Sequence, residues 1–346
     1  MLEKLTQQLT AAQPLVEEQI RQAVEFLAGE KVAAAAKADF LIALAQKGET
    51  PGEIAGFARA LRDRSIPPPL DPAWRNSREI LDVVGTGGDR LGTFNISTAT
   101  ALLCAAAGVT VAKHGNRAVT SQAGSADVLE ALGVRIDLTP AEASRSLREH
   151  NFAFFFAPNY HPAFKHIAPA RKLCAERGRR TIFNFLGPLL NPARPSAMLV
   201  GVPQPALCEP LAHVLQSLGV RRAMVVCGSV PPAGFLDELS TLGENTIAEF
   251  YQSRGFATSL LSPEQFPLIP AKLADLLGSD RQANAEIVRH ILHGKERGPK
   301  REAVLLNASA ALFVAGRVKS LGEGWELAAA VIDSGQAAAK LAALTR

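Results

Sequence analysis

The stretch LDVVGTGGDRLGTFNIST at 81–98 concentrates residues that can do chemistry. An apolar run leads into Gly85, Thr86, Gly87, Gly88 and Asp89. Thr93 and Asn95 then lead to Ile96, Ser97 and Thr98, where a helix is expected to start. Glycines at this density permit positive φ and let backbone N–H groups come close to a ligand. Such a loop ahead of a helix N-terminus suits a phosphate or pyrophosphate. Asn95, Ser97 and Thr98 add side-chain hydrogen bonds, and Asp89 suits a sugar hydroxyl, a metal-bound water or the orientation of the loop. Arg90 stands where a dinucleotide fingerprint needs its third glycine, and the GK[ST] of a P-loop is missing. Taken alone, the stretch also fits plain turn chemistry.

Lys113, His114, Gly115, Asn116 and Arg117 form a second polar group, followed by Thr120, Ser121, Gly124 and Ser125. It falls where the next strand is expected to end. Ligands of open α/β sheets gather outside the carboxyl ends of strands, so two successive loops of this kind converge on one crevice. A third group, Asp237 and Glu238, follows a strand expected at 223–226. On its own such a pair is surface charge. Beside a phosphate loop, its hard oxygens suit Mg²⁺, which bridges carboxylates and phosphates.

Two further segments carry weaker signals. Residues 165–180 hold Lys165, His166, Arg171, Lys172, Arg177, Arg179 and Arg180 against the single acid Glu176. That run reads as a solvated helix face or as a guide for anions. NFLGPLLN at 184–191 contains Gly187 and Pro188 and reads as a turn, either walling an aromatic pocket or serving packing or a hinge.

The elements that must position these groups follow from periodicity. Leu15, Val16, Ile20, Ala23, Val24 and Leu27 recur at helical spacing, with Gly29 as a stop. Residues 31–47 continue the pattern, and Thr50-Pro51 with Glu53 opens a third helix through a capping box. Prolines 67, 68, 69 and 72 mark a boundary. Beyond them short apolar runs alternate with helical patterns. Strands are expected at 80–84, 109–112, 152–157, 198–202 and 223–226. Helices are expected between them and again at 285–292, 303–315 and 325–344. The expected fold is therefore α/β: a small helical domain over 1–70, and a larger α/β domain over 71–346 with a mostly parallel central sheet surrounded by helices.

Composition narrows the function classes. Of 346 residues, 37 are Lys or Arg and 33 are Asp or Glu, a net charge of +4. A dedicated nucleic-acid binder shows a stronger basic excess. No apolar run approaches the ~20 residues that cross a bilayer, and MLEKLTQQLT has no signal-peptide apolar region. Cys104, Cys174, Cys208 and Cys227 are far apart with no CxxC pair, so a reducing, cytoplasmic setting is expected.

In the order GTGGD, TFNIST, KHGNR, GSADVLEALG, HPAFKHIAP, TIFNFLGPLLNPA, the DE pair and NASAALFVAG, the chain resembles the anthranilate phosphoribosyltransferases from about residue 24 to its end. The resemblance implies transfer of a phosphoribosyl group from 5-phosphoribosyl 1-diphosphate (PRPP) to anthranilate with release of pyrophosphate, by a homodimer using Mg²⁺, two ions per subunit. It implies that Gly85, Thr86, Gly87, Gly88, Asp89, Thr93, Asn95, Ile96, Ser97, Thr98, Lys113, His114, Gly115, Asn116, Arg117, Thr120, Ser121 and Ser125 hold PRPP. Anthranilate would meet Gly85, His114, Asn116, Arg171, Gly187 and Pro188, and Ser97, Asp237 and Glu238 would place the metal. No single acid or base is implied; Lys113 and Asp89 would support the transition state. Helices near 161–177 would pack back on the first domain.

Two places depart from the family's pattern. A customary His-Gly pair is Cys227-Gly228 here, in a loop about four residues longer, and the segment 171–181 is about three residues longer; surface loops absorb such growth at small entropic cost. Another aromatic acceptor, a nucleoside phosphorylase and a non-catalytic nucleic-acid-binding relative of the same fold are the alternatives, the last resting on the basic runs at 165–180 and 295–301.

Overall fold

The computed structural model describes residues 1–118, 122–251 and 254–345. The chain opens with the helices Leu2–Thr10, Glu17–Ala28, Ala34–Lys47 and Pro51–Arg62. Ile20, Ala23, Val24 and Leu27 form the buried stripe of the second, which ends at Gly29. Leu2–Thr10 forms a helix of its own, so the one begun at Thr50 is the fourth. There Thr50 Oγ1 accepts from the Glu53 amide at 3.1 Å and Glu53 returns a bond to the Thr50 amide at 2.9 Å, completing the capping box. Glu53 also accepts from the Leu15 amide and pairs with buried Lys47 at 2.7 Å.

After the proline-rich connection, eight strands form one sheet: β1 (Ile80–Gly85), β2 (Thr110–Gly115), β3 (Phe152–Phe156), β4 (Ala197–Gly201), β5 (Arg222–Val230), β6 (Gly234–Leu236), β7 (Asn245–Tyr251) and β8 (Arg254–Leu261). Their order is β3-β2-β1-β4-β5-β7-β8, with β6 paired to β5. β3 through β5 run parallel, and β5-β7, β7-β8 and β5-β6 run antiparallel. The chain builds outward from β1 to β3, then returns to the other edge of β1 to add β4. That reversal opens a crevice at the carboxyl ends of β1 and β4.

Alternation along the strands loads both faces. Leu199, Met224, Val226 and Ile247 face a core with the helices Ile96–Ala106 and Pro299–Val314. Met198, Val200, Val225 and Ala248 face a second core, continuous with the N-terminal helices and with the helices Phe164–Glu176, Phe183–Leu189 and Cys208–Ser217. Near-continuous apolar character in the central strands is the signature of a sheet buried on both sides. The result is a helical N-terminal unit and a larger α/β unit whose mostly parallel sheet is flanked by helices.

Three sequence expectations need correction. β7 and β8 were not foreseen, because NTIAEFY and RGFATSLL break up their apolar residues with polar ones and read as loop. The helix expected at 325–344 is two helices, Leu321–Asp333 and Gln336–Leu344, because Gly335 takes φ 80° between them. Gly187 and Pro188 lie within the short helix Phe183–Leu189 instead of forming a turn; Pro188 has no N–H to donate back to the preceding turn, and the helix ends one residue later. Among the described residues no single helix is long and apolar enough to cross a membrane.

Lys37 ties the second core together. It is buried, and its Nζ donates to Leu27 O at 2.8 Å, Gly29 O at 2.7 Å and His166 O at 2.9 Å. It thus satisfies the carbonyl end of the helix Glu17–Ala28 and staples it to the helix Phe164–Glu176. Replacing Lys37 by Met keeps most of the volume and strands all three carbonyls. The expected cost is about 2–4 kcal/mol in urea unfolding with the denaturant slope unchanged; a loss below about 0.5 kcal/mol would show that water replaces the ammonium without penalty.

Candidate active site

A cleft of about 640 Å³ opens at the crevice beyond β1 and β4. Its floor is the loop that leaves β1. Gly87 and Gly88 take φ 75° and 95°, and Arg90, without the freedom of a glycine, takes φ 60°. The left-handed turns fold the loop back over the sheet edge. Two glycines at the strand ends let another segment lie on top of them. A β-carbon on Gly85 would sit 2.2 Å from Asp237 Oδ2, and one on Gly201 only 1.6 Å from the Asp237 carbonyl oxygen. No side chain fits at either place, so the backbone at Asp237 rests directly on β1 and β4. The Gly87 amide donates to Asp237 Oδ2 at 2.6 Å, and the Ser97 amide, at the start of the helix Ile96–Ala106, donates to Glu238 Oε1 at 3.1 Å.

The carboxylates are crowded. Burial, and next the Asp89 charge beside it, push Asp237 above the usual carboxylate range. Burial and the Asp237 charge do the same to Glu238, while Lys113 pulls the other way. Negative charge gathered on hard oxygens, with the Ser97 hydroxyl alongside, is a donor set that suits Mg²⁺.

Lys113 lies beneath them. Its side chain is fully buried, and Nζ donates to Val83 O at 2.7 Å and Ser97 Oγ at 3.3 Å. Burial pulls the ammonium down from its usual range, opposed by Asp82 and Glu238. Asp82, also buried, accepts from Asn191 Nδ2 at 2.8 Å and from the His114 amide at 3.4 Å. Burial pushes its carboxyl up to about 6. Lys113, His114 and Gly115 are strand residues of β2, which runs three residues further than the strand expected from the apolar run alone.

His114, next along the strand, points to the opposite face. Its Nδ1 is 3.2 Å from Gly187 O, which can only accept, so Nδ1 carries the proton and Nε2 faces His161 Nε2 at 3.1 Å. His161 stacks on Phe164, which meets Phe183 edge-on, and the Arg171 guanidinium lies 5.1 Å from the Phe183 ring. These groups form a second lobe of the cleft with aromatic walls and one cation.

Most residues singled out in the sequence line this cleft: Gly85, Thr86, Gly87, Gly88, Asp89, Thr93, Asn95, Ser97, Lys113, His114, Gly115, Asn116, Arg117, Ser125, Arg171, Gly187, Pro188, Asp237 and Glu238. The side chains of Ile96 and Thr98 are withdrawn into the core, because a helix turns by about 100° per residue and Ser97 is the one of its first three residues that lines the cleft. Each can offer the cleft only its backbone. Arg117 edges the cleft, but its guanidinium is committed to Asp127 at 3.0 Å and Glu130 at 2.9 Å. Thr120 and Ser121 lie outside the described residues. Cys227 faces the second core within β5, and the longer loop after it is the β5-β6 hairpin.

Sequence reasoning missed several contributors. Asp82 and Asn191 hold β2 at its carboxyl end; a lone carboxylate inside LDVVG was the available signal. The segment 276–284 supplies another wall through Gly278, Ser279 and Asn284. Asn284 Nδ2 donates to Asn95 Oδ1 at 3.0 Å, and Asn95 Nδ2 to Ala123 O at 3.1 Å, so three loops share one amide chain. Nothing local in GSDRQAN marks it.

The buried imidazoles make a pH prediction. Burial pushes His114 down to about 3 and His161 down to about 4. In the unfolded chain each titrates near ~6.5. Between those limits the unfolded chain binds protons that the folded chain refuses. Stability present above pH 6.5 is thus lost as pH falls, at up to about 1.4 kcal/mol per pH unit per imidazole. Urea unfolding of a His161→Gln variant should fall less steeply between about pH 6.5 and pH 4 than wild type; equal slopes would show that the imidazoles stay solvated.

Residues 2–65 match a family model described as the helical bundle domain of a glycosyl transferase family, and residues 77–338 match its a/b domain. A protein of Methanosphaerula palustris named anthranilate phosphoribosyltransferase is 44% identical, over 99% of this chain and 98% of its own. The crystal structure of anthranilate phosphoribosyltransferase from Thermus thermophilus superposes with a TM-score of 0.88 at 42% identity, covering 99% of this chain and 98% of that one. The Saccharomyces cerevisiae enzyme in complex with PRPP and Mg matches with a TM-score of 0.86 at 26% identity, covering 98% and 95%. The same yeast enzyme in complex with 4-fluoroanthranilate gives 0.85 at 25% identity, covering 99% and 96%.

Proposed function

The chain belongs to the anthranilate phosphoribosyltransferase family, and from that premise we propose that its cleft joins the amine of anthranilate to C1 of the ribose of PRPP, releasing pyrophosphate. The observation that carries the reading is the split of the cleft about β2. Lys113 serves a lobe of backbone amides and carboxylates, and His114 serves an aromatic lobe containing Arg171. One lobe suits a diphosphate, the other an aromatic carboxylate.

The residues divide the work accordingly. Gly85 to Gly88, with Asn95, Lys113, Ser125 and the amides of Ile96, Ser97 and Thr98, hold the phosphates, and Asp89 takes a ribose hydroxyl. The guanidinium of Arg171 bonds the anthranilate carboxylate bidentately, and Asn116, His114, Gly187 and Pro188 hold its ring. Ser97, Asp237 and Glu238 would hold Mg²⁺, two ions per subunit, which would neutralise the charge developing on the leaving pyrophosphate. An aromatic amine keeps its lone pair free at neutral pH, so the site needs no strong base. The barrier lies in breaking the bond from C1 to the diphosphate as positive charge grows on the ribose. Lys113 and the fixed loop amides oppose that barrier without reorganising, and the second lobe supplies orientation of the amine toward C1.

The division of the chain into 1–70 and 71–346, a homodimeric assembly and a cytoplasmic setting belong to the same proposal. Supporting the last, all four cysteines are free and buried. The helix Phe164–Glu176 packs on Ala34–Lys47 and Glu17–Ala28, so the helical domain takes in that later helix and shares a wall with the cleft.

Anthranilate fluorescence should fall on addition of PRPP only when Mg²⁺ is present. An Asp237→Asn, Glu238→Gln double variant should lose roughly a hundredfold or more in kcat/KM. Mg²⁺-independent turnover, or an unimpaired variant, would refute the metal assignment. Stable fluorescence with PRPP and Mg²⁺ both present would refute anthranilate as acceptor.

A further inference from the structure

The basic run at 165–180 is not a uniform solvated face. Arg177 is paired with Asp39 at 2.7 Å, and Arg171 lies against Phe183 in the aromatic lobe. Arg180 does neither. Its side chain is exposed, and it has no ion-pair or hydrogen-bond partner among the described residues. Yet its Nη2 lies 3.8 Å from where a β-carbon on Gly88 would stand. The guanidinium thus reaches from the wall on the helical side across to the glycine-rich loop on the sheet side.

The turn that carries it is fixed at both ends. The Arg179 amide donates to Cys174 O at 2.9 Å, and the Thr181 amide donates to Asn184 Oδ1 at 3.0 Å. This is the segment that runs longer than the family's usual pattern. An arginine held over the second half of an anion loop, with no acid to neutralise it, places a permanent charge and a planar fork of donors where phosphate oxygens would emerge. Gly88 contributes by leaving that space empty.

We propose that Arg180 is a further substrate-binding residue, which closes over the glycine-rich loop and takes phosphate oxygens of the diphosphate from the side opposite Lys113. The proposal rests on the functional reading above. It assigns the residue to the phosphoribosyl donor and to pyrophosphate, not to the aromatic acceptor.

Arg180→Gln is compared with Arg179→Gln, which removes the same charge one residue away, and with Arg180→Lys. Calorimetric titration with PRPP and with pyrophosphate, each with Mg²⁺, should weaken about tenfold in Arg180→Gln and stay within about twofold of wild type in Arg179→Gln. Arg180→Lys should recover part of the loss. In steady state the KM for PRPP should rise in step, with the KM for anthranilate unchanged. Equal effects of the two glutamine variants, unaltered PRPP affinity, or a parallel rise in both KM values would overturn the assignment. If Arg180→Gln fails to fold by circular dichroism, Arg180→Lys decides: weaker PRPP binding supports the contact, wild-type binding refutes it. Wild-type turnover tests the functional reading separately, since the titrations need no acceptor.

Discussion

The architecture of the cleft depends on keeping one ammonium charged inside the protein. Lys113 is fully buried, and burial works against its charge. Its surroundings oppose that loss: the Val83 carbonyl, the Ser97 hydroxyl, and the negative charges of Asp82 and Glu238. They come from β1, which gives both Asp82 and Val83, from the helix Ile96–Ala106 and from the segment after β6, so the arrangement around Lys113 forms only when these elements and β2 are all in place. The same requirement runs in reverse. Glu238 is crowded by Asp237 and relieved by Lys113, and Asp82 is buried against Asn191. A buried charge network of this kind is weak evidence of added stability. It is good evidence that the site is assembled as one unit.

Strand geometry then divides the chemistry. Successive side chains of β2 point to opposite faces, so Lys113 and His114 can serve two lobes without any loop between them. Lys113 goes to the side of the helix Ile96–Ala106, where amides and carboxylates gather. His114 goes to the side of the helices Phe164–Glu176 and Phe183–Leu189, where the walls are aromatic. The helical bundle packs on that second face. The bundle is thus structurally joined to the aromatic lobe of the cleft, and the C-terminal helices to the lobe of amides and carboxylates.

What was legible in the sequence follows from how local each signal is. The capping box at Thr50 and Glu53, the apolar stripe of Glu17–Ala28 and the glycine loop after β1 are all encoded within a few residues, and each was readable. The placement of Lys113 could be located but not understood: KHGNR reads as a polar turn unless the partners from Val83, Ser97 and Asp82 are known. Arg117 shows the opposite failure, since its acids at Asp127 and Glu130 lie beyond the motif and draw its guanidinium off the cleft. The side-chain directions of Ile96 and Thr98 were not legible for a simpler reason: a helix turns by about 100° per residue, and residue type does not say which residue of its first turn faces the cleft. β7 and β8 escaped because these two antiparallel strands mix polar and apolar residues without a clean alternation.

The two departures from the family's pattern differ in consequence for the same kind of reason. The β5-β6 hairpin lengthens the path from Cys227 to Asp237, but the position of Asp237 is set from below. Its carbonyl rests where a side chain on Gly201 would be and its carboxylate where one on Gly85 would be, so the height of the metal-side carboxylates is independent of hairpin length. Cys227 sits in the second core with its thiol pushed up to about 12 by burial, and takes no part in the cleft wall. Extra residues there extend a ribbon away from an anchored point. The segment 171–181 is held instead at its two ends, by the Arg179 amide on Cys174 O and the Thr181 amide on Asn184 Oδ1, and Arg180 stands between them with its guanidinium near Gly88. If Arg180 takes the role proposed for it, growth at that place would change what reaches the glycine-rich loop, whereas growth of the hairpin would not.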